Sequence, residues 1–252
     1  MNNVHVLACD IGGTKTDLAI FSADPELTPI VEESYASKKY PDLESILHEF
    51  LAKAKGLQIE EASFSVAGPV VNRRASTTNL PWVVDERLLA NSLGVSTVHV
   101  LNDLVATAYY VPHLREQDLR SLNDSKAVEA GTIGVIAPGT GLGEALSVWD
   151  GSQYRPYASE GGHADFGPNS DVEIELLEDL RKNWEHVSWE RLCSGPGIRN
   201  ESGPFMQAFQ RKGRLSSLLS SVPVRVILNA RCALLGAAQY GFDCHKDKEE
   251  IS

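Results

Sequence analysis

The sequence predicts an α/β fold. Short runs rich in apolar and β-branched residues alternate with amphipathic segments of helical period. A strand–glycine–strand pattern also occurs twice, at residues 4–21 and 131–149. Hydrophobic residues make up 42% of the 252-residue chain, which is enough to bury a core in one large domain or two smaller ones.

The first pattern consists of the runs "VHVLACD" and "TDLAIF" on either side of "IGGTK". We expect two adjacent strands joined by a tight turn. Glycines in such a turn allow backbone N–H groups to form an anion-binding nest, although an ordinary hairpin needs the same glycines. Asp10 ends the first strand, where a buried carboxylate requires a hydrogen-bond donor or a cation. Mg²⁺, held through water, would meet that requirement.

The elements that follow alternate between helix and strand. Residues 42–56 predict an amphipathic helix with an apolar face, and "ASFSVAGPV" predicts a strand. A helix at residues 83–94 and the strand "STVHVL" come next. Asn102 and Asp103 then mark the junction with a further helix, where either residue type serves as an N-cap or as a ligand.

The second pattern, "GTIGVIAPGTGLGEALSVW", again places a glycine-rich turn between two apolar runs. The turn lacks the GxxxxGK[ST] spacing of a P-loop, and Glu144 stands where a dinucleotide fingerprint requires its third glycine. Both glycine turns lead into strands rather than helices. Beyond them we expect helices at residues 171–187, 205–213 and 230–241, and a strand at residues 222–228.

Charge and composition exclude several classes of partner. The net charge of -11 and the pI near 5.1 disfavour nucleic acid and anionic membranes. We find no signal peptide and no apolar run long enough to span a bilayer, so we expect a cytoplasmic protein. The four scattered cysteines indicate reduced thiols, and the histidines lack metal-site spacing.

Polar residues beside glycine turns suggest a site for a polyol. Glu160 and His163 flank the glycine pair of "SEGGHADFGP", and Glu190 precedes another glycine–proline turn. Each residue alone is equally consistent with a solvated loop. Together with Asn102 and Asp103, they offer carboxylates and an amide that can hydrogen-bond sugar hydroxyls.

These motifs resemble the bacterial glucokinase family of the sugar kinase, heat-shock protein and actin superfamily. "DIGGTKTDLAIF" is similar to its first phosphate motif, "LNDLVA" to its catalytic-aspartate motif, "APGTGLGEAL" to its second phosphate motif, and "SEGGHADFGP" to its sugar-binding motif. "AGPV", "TTNLPW" and "SWERLCSGPG" match in order. The resemblance implies a two-domain ribonuclease-H-like (actin-like ATPase) fold with an interdomain cleft. The small domain would comprise residues 1–109 and 230–252, and the large domain residues 110–229.

The resemblance also implies a role for each candidate residue. Asp103 would be the general base for phosphoryl transfer from ATP to the glucose 6-hydroxyl, and Asp10 would help to place Mg²⁺. Five side chains would hold the hexose: Asn79, Asn102, Glu160, His163 and Glu190. Two turns would contact the phosphates: Gly12, Gly13 and Thr14 in one, and Gly139, Thr140 and Gly141 in the other. A homodimer is compatible with the family.

The chain departs from the family pattern after "SGPGIRN". Family members carry a helical segment there, followed by an apolar strand and a GGxxxxGG adenosine motif. Here residues 201–229 resemble the region beyond that motif, so the motif is missing. Its loss removes an adenine-side wall and core packing, whereas every expected sugar ligand lies earlier in the chain. The alternative function is therefore a sugar-binding protein or regulator that has lost productive ATP binding. Acetate-kinase-like chemistry fits less well, because a Glu-rich pocket repels a carboxylate substrate.

Overall fold

The computed structural model describes residues 4–23, 27–54, 56–77, 80–139, 141–194 and 215–251. The chain divides into two compact units. The first unit comprises Met1–Leu114 and Asn229–Ser252, and the second comprises Arg115–Leu228.

The strands are β1 (His5–Ile11), β2 (Lys15–Ser22), β3 (Pro29–Ala36), β4 (Glu61–Val66), β5 (Val70–Val71), β6 (Arg74–Ser76), β7 (Val83–Asp85), β8 (Thr97–Asn102), β9 (Leu119–Ser121), β10 (Ile133–Pro138), β11 (Leu142–Trp149), β12 (Tyr154–Ser159) and β13 (Arg225–Ile227). The helices are α1 (Leu43–Lys53), α2 (Glu86–Leu93), α3 (Asp103–Tyr110), α4 (Asp171–Leu180), α5 (Trp189–Cys193), α6 (Ser216–Ser220) and α7 (Cys232–Ile251). Within these residues, no helix is both long and apolar enough to cross a membrane.

A five-stranded sheet in the order β3-β2-β1-β4-β8 organises the first unit. The predicted hairpin is confirmed, since β1 pairs antiparallel with β2. On its other side β1 pairs in parallel with β4, and β4 pairs in parallel with β8. The carboxyl ends of these three strands therefore meet at one edge of the sheet.

Alternate residues of β1 are buried on opposite faces of this sheet. Leu7, Cys9 and Ile11 belong to one apolar cluster, which α1 completes with residues such as Phe50. Val6 and Ala8 belong to the other cluster, completed from α7 by Leu234, Leu235, Ala237, Ala238 and Phe242. The continuous apolar sequence of β1 is explained by this burial on both faces.

Two glycines allow α7 to lie close to its neighbours. A Cβ atom at Gly236 would collide with the backbone of Ala106 in α3, and one at Gly241 would lie 2.7 Å from Val6 Cγ1 in β1. The C-terminal helix therefore packs tightly against both the sheet and α3.

The second unit contains the antiparallel sheet β10-β11-β12 and the pair β13–β9. The prediction of a helix to residue 187 is wrong beyond Leu180, where α4 ends. The chain instead returns to residues 165 and 166: the Phe166 N–H donates to Val187 O, and His186 bonds to Asp165. These long-range bonds overrule the local helical pattern. The helix expected at residues 205–213 lies outside the described residues.

A buried ionic cluster lies where β4 and β8 begin. Glu61 is 1% exposed, and Lys248 of α7 donates both to its carboxylate and to Thr97 Oγ1. His99 Nε2 and His245 Nδ1 each lie 3.5 Å from a Glu61 oxygen. Burial lowers the pKa of His99, but the Cys244 thiol and the Glu61 carboxylate outweigh it and raise that pKa to about 9.

We expect the charged His99 ring to stabilise the protein in a pH-dependent way. Its folded pKa of about 9 exceeds an unfolded value of about 6.5, so its contribution is complete below about pH 6.5 and is lost as the pH rises through about 9. The free energies of unfolding of the wild type and of His99→Gln, measured with denaturant from pH 6 to 9.5, should converge as the pH rises. The difference between them should shrink by a few kcal/mol at most, since one pKa unit corresponds to about 1.4 kcal/mol. His48→Gln, at an exposed position of α1, is the control. A constant difference across this range would contradict the assignment.

Candidate active site

The first unit gathers several candidate residues at the carboxyl ends of its parallel strands. Asp10 of β1 is the register partner of Ser65 in β4, and Val66 is the partner of Asn102 at the end of β8. Asp103 follows as the first residue of α3. Strand register thus brings Asp10 and Asp103 to the same edge, although 92 positions separate them in the chain.

Asp10 is half-buried and incompletely paired. Ser65 Oγ donates to its Oδ1 at 2.9 Å, whereas its Oδ2 accepts no hydrogen bond from any described residue. Desolvation raises the pKa of Asp10 to about 6, with further contributions from the negative charges of Asp103 and Asp17. The arrangement therefore favours a cation beside Asp10. Within the described ranges no three His, Cys, Asp or Glu side chains form a metal cluster, but Mg²⁺ commonly uses only one or two carboxylates together with water and phosphate.

A backbone hydrogen bond between its own residues stabilises the glycine turn after β1. The Gly12 N–H donates to Lys15 O at 2.9 Å, and a Cβ at Gly12 would lie only 3.0 Å from that oxygen. The N–H groups of Gly13 and Thr14 donate to no described residue. They are available to an anionic ligand, as the sequence pattern predicts.

Ser37 fixes this turn from the segment that follows β3, a role that no sequence pattern indicates. Its side chain is fully buried, and its hydroxyl donates to Gly12 O at 2.9 Å and lies 3.0 Å from Thr16 Oγ1. Its backbone N–H donates to Thr14 O at 3.1 Å. An isolated serine after a strand carries no local signal for this role, because the contact spans more than 20 residues of sequence.

Asn102 caps α3, one of the two roles considered from the sequence. Its Oδ1 accepts hydrogen bonds from the N–H groups of Leu104 and Val105, and its Nδ2 donates to Gly68 O at 3.0 Å. Asp103 is partly buried, and its Oδ1 accepts from Leu104 N at 2.9 Å. Desolvation raises the pKa of Asp103, although hydrogen bonds from the helix N-terminus oppose the shift.

The second unit carries the other glycine turn. The Gly139 N–H donates to Gly141 O at 2.8 Å between β10 and β11. Glu190, from α5, accepts a hydrogen bond from Leu142 N at 3.1 Å, and a Cβ at Gly141 would lie 2.5 Å from its Oε2. The structure thus joins Glu190 to the glycine turn, a contact that sequence spacing does not reveal.

Glu160 and His163 lie on a tight bend after β12. Both side chains are exposed, and Glu160 Oε2 lies 3.7 Å from His163 Nε2. Between them Gly162 is buried against β11, where a Cβ would collide with the carbonyl oxygen of Leu142. The bend therefore presents both side chains to solvent while its backbone stays fixed.

Two of the candidate residues, Asn79 and Thr140, lie outside the described residues. The remaining candidates are distributed over both units: Asp10, Gly12, Gly13, Thr14, Asn102 and Asp103 in the first, and Gly139, Gly141, Glu160, His163 and Glu190 in the second.

Comparison with known proteins identifies the family. The family model described as Glucokinase matches residues 7–200 and 201–243. The chain belongs to the glucokinase family. Glucokinase from Nostoc punctiforme is 41% identical over 197 residues, covering 77% of this chain and 58% of the relative. Glucokinase from Synechocystis is 28% identical over 345 aligned residues, covering 93% of this chain and 97% of the relative.

The fold agrees with this membership. A glucokinase structure from an Antarctic psychrotroph aligns with a TM-score of 0.80 at 24% identity, covering 95% of this chain and 99% of the other. The chain therefore has the actin-like ATPase fold of glucokinases.

The glucokinase match is interrupted within the chain. The chain spans 58% of the length of the Nostoc relatives that it matches. The family match is divided between residues 200 and 201. This is the point at which the sequence predicts that the adenosine motif is missing. The Synechocystis alignment is longer than this chain, so it includes positions of the relative that have no counterpart here.

We expect Ser37→Ala to destabilise the glycine turn. The change removes a buried hydroxyl and leaves Gly12 O without that donor, which costs about 1–3 kcal/mol. Ser34→Ala is the matched control, because Ser34 Oγ donates to Asp17 at an exposed position, and its effect should stay within about 0.5 kcal/mol. Equal free energies of unfolding for the two variants would show that Ser37 does not secure the turn.

Gly162→Ala should disrupt the bend that carries Glu160 and His163. The added methyl group meets the rigid backbone of Leu142, and overpacking of this kind costs about 1–3 kcal/mol. Gly167→Ala is the control, since a Cβ there has no neighbour within 4 Å. Thermal unfolding of both variants tests the difference, and a Gly162→Ala variant as stable as Gly167→Ala would refute it.

Proposed function

We propose that this chain phosphorylates glucose with ATP to give glucose 6-phosphate. The observation that carries the proposal is the shared sheet edge in the first unit, where Asp10, the Gly12–Thr14 turn and Asp103 occur together. Membership of the glucokinase family supports glucose as substrate and ATP as donor.

Asp103 is the proposed general base. It accepts the proton of the glucose 6-hydroxyl as that oxygen attacks the γ-phosphoryl group of ATP. Desolvation raises the pKa of Asp103 above the usual carboxylate range. Because only the ionised carboxylate can act as the base, we expect activity to decline at a higher pH than it would with an ordinary aspartate as the pH is lowered. Asn102 caps α3 and thereby positions Asp103 at the helix N-terminus.

The N–H groups of Gly13 and Thr14 have no partner among the described residues and are proposed to bind phosphate oxygens. Gly139, Thr140 and Gly141 would contribute from the second turn. Asp10 would hold Mg²⁺ through water, and the ion would neutralise charge on the phosphates. The hexose would be bound through hydrogen bonds between its hydroxyl groups and five side chains: Asn79, Asn102, Glu160, His163 and Glu190. Glu160 and Glu190 would accept these bonds.

The interruption of the family match at residue 200 supports a second candidate: a sugar-binding protein or regulator that no longer turns over ATP. The two functions share the sugar ligands and differ in phosphoryl transfer. Sugar binding and ADP release must therefore be measured on the same protein.

We expect glucose-dependent ADP release from Mg²⁺-ATP by the 252-residue chain. Asp103→Asn keeps the side-chain shape but removes the base, which should lower the rate by a factor of about 10² to 10⁴. Asp124→Asn makes the same change at an exposed position and should leave the rate unchanged. Calorimetric glucose binding by folded protein without ADP release would favour the binding protein instead.

A further inference from the structure

Asp103 lies at a corner between a strand and a helix that have no loop between them. Strand β8 ends at Asn102, and α3 begins at the next residue. The sheet holds Asn102 in place, because Asn102 is the register partner of Val66 and its Nδ2 donates to Gly68 O at 3.0 Å. Asp103 belongs instead to the helix, so the direction in which α3 leaves the sheet determines where its carboxylate lies.

Tyr240 of α7 contacts both of the elements that meet at this corner. Its ring centroid lies 5.2 Å from that of His99 in β8, with an angle of 81° between the ring planes. The same centroid lies 5.3 Å from that of Tyr109 in α3, at an angle of 77°. Both pairs have the edge-to-face geometry that aromatic rings favour. The Tyr240 ring therefore joins β8 to α3 at a distance from the corner itself.

The groups on either side of this ring are fixed in turn. Tyr109 Oη donates to Asp243 Oδ2 at 2.7 Å, and Gln239 Nε2 donates to the other oxygen of that carboxylate at 3.0 Å. Helix α7 has little freedom to move away from α3, since Gly236 is packed directly against the backbone of Ala106. The ring contacts of Tyr240 consequently restrain the angle between β8 and α3.

We propose that Tyr240 is a positioning residue for Asp103. By contacting His99 and Tyr109, it sets the angle between β8 and α3 and thereby the place of the Asp103 carboxylate. This role rests on that of Asp103 as the proposed general base. A displacement of about 1 Å in a reacting group is enough to lower a rate by about 10²-fold, whereas Asn102 keeps its place in the sheet and remains available to the sugar.

Kinetics and calorimetry of Tyr240→Leu test this role. We expect the maximal rate of glucose-dependent ADP release to fall at least about tenfold, while the dissociation constant for glucose changes by less than about twofold. Tyr240→Phe keeps both ring contacts and should retain the wild-type rate within about twofold. The matched control is Tyr40→Leu, which removes an edge-to-face contact with Tyr35 between β3 and α1 and should also keep the rate.

A double-mutant cycle shows whether Tyr240 acts through Asp103. Because Asp103→Asn already removes the base, adding Tyr240→Leu should change its residual rate by less than about twofold. A general loss of structure would instead lower the rate by the same factor in both backgrounds. If circular dichroism shows that Tyr240→Leu is unfolded, Tyr109→Leu removes one of the same ring contacts from the side of α3 and takes its place.

Three results would overturn the role of Tyr240: a wild-type rate for Tyr240→Leu, an equal loss for Tyr40→Leu, or an equal loss in the Asp103→Asn background. In each of these cases the wild-type chain still releases ADP, so the proposed function stands. A wild-type chain that binds glucose without releasing ADP would overturn the proposed function itself, and the role of Tyr240 with it.

Discussion

Parallel pairing of β1, β4 and β8 is the constraint on which the candidate site depends. It aligns three carboxyl ends and thereby places Asp10, Ser65 and Asp103 at one edge. The alignment holds because β1 is buried on both faces, between the cluster completed by α1 and the cluster completed by α7. A shift in register would move the carboxylates apart and would reverse the faces of β1 at the same time.

This edge combines groups that are costly to keep together without a ligand. Asp10 is half-buried, desolvated and close enough to Asp103 for that charge to raise its pKa. The nearby turn leaves amide donors of Gly13 and Thr14 without described partners. A desolvated carboxylate is complementary to a cation, and amides without described partners are complementary to a phosphate. A phosphoryl-transfer site requires this combination.

The two units differ in how far their sheets are completed. In the first unit, parallel strands continue beyond β1, and both faces are covered. Among the described residues of the second unit, the sheet ends at β10. The family match is divided between residues 200 and 201. The proposed sugar ligands Glu160, His163 and Glu190 therefore belong to the unit in which fewer of the described apolar residues are buried. Their positions rest on contacts such as that of Gly162 with Leu142.

The sequence by itself determined the local elements and the candidate residues. The glycine turns, the strands on either side of them, the apolar face of α1 and the place of Asp103 at a helix start all follow from short-range patterns. Only the tertiary structure decided the contacts between distant segments, such as the hydrogen bond from Ser37 to Gly12 O and the one from Leu142 N to Glu190. It also decided that α4 ends at Leu180. The physical reason is that periodicity and turn chemistry act over a few residues, whereas strand register and long-range hydrogen bonds depend on the whole packed chain.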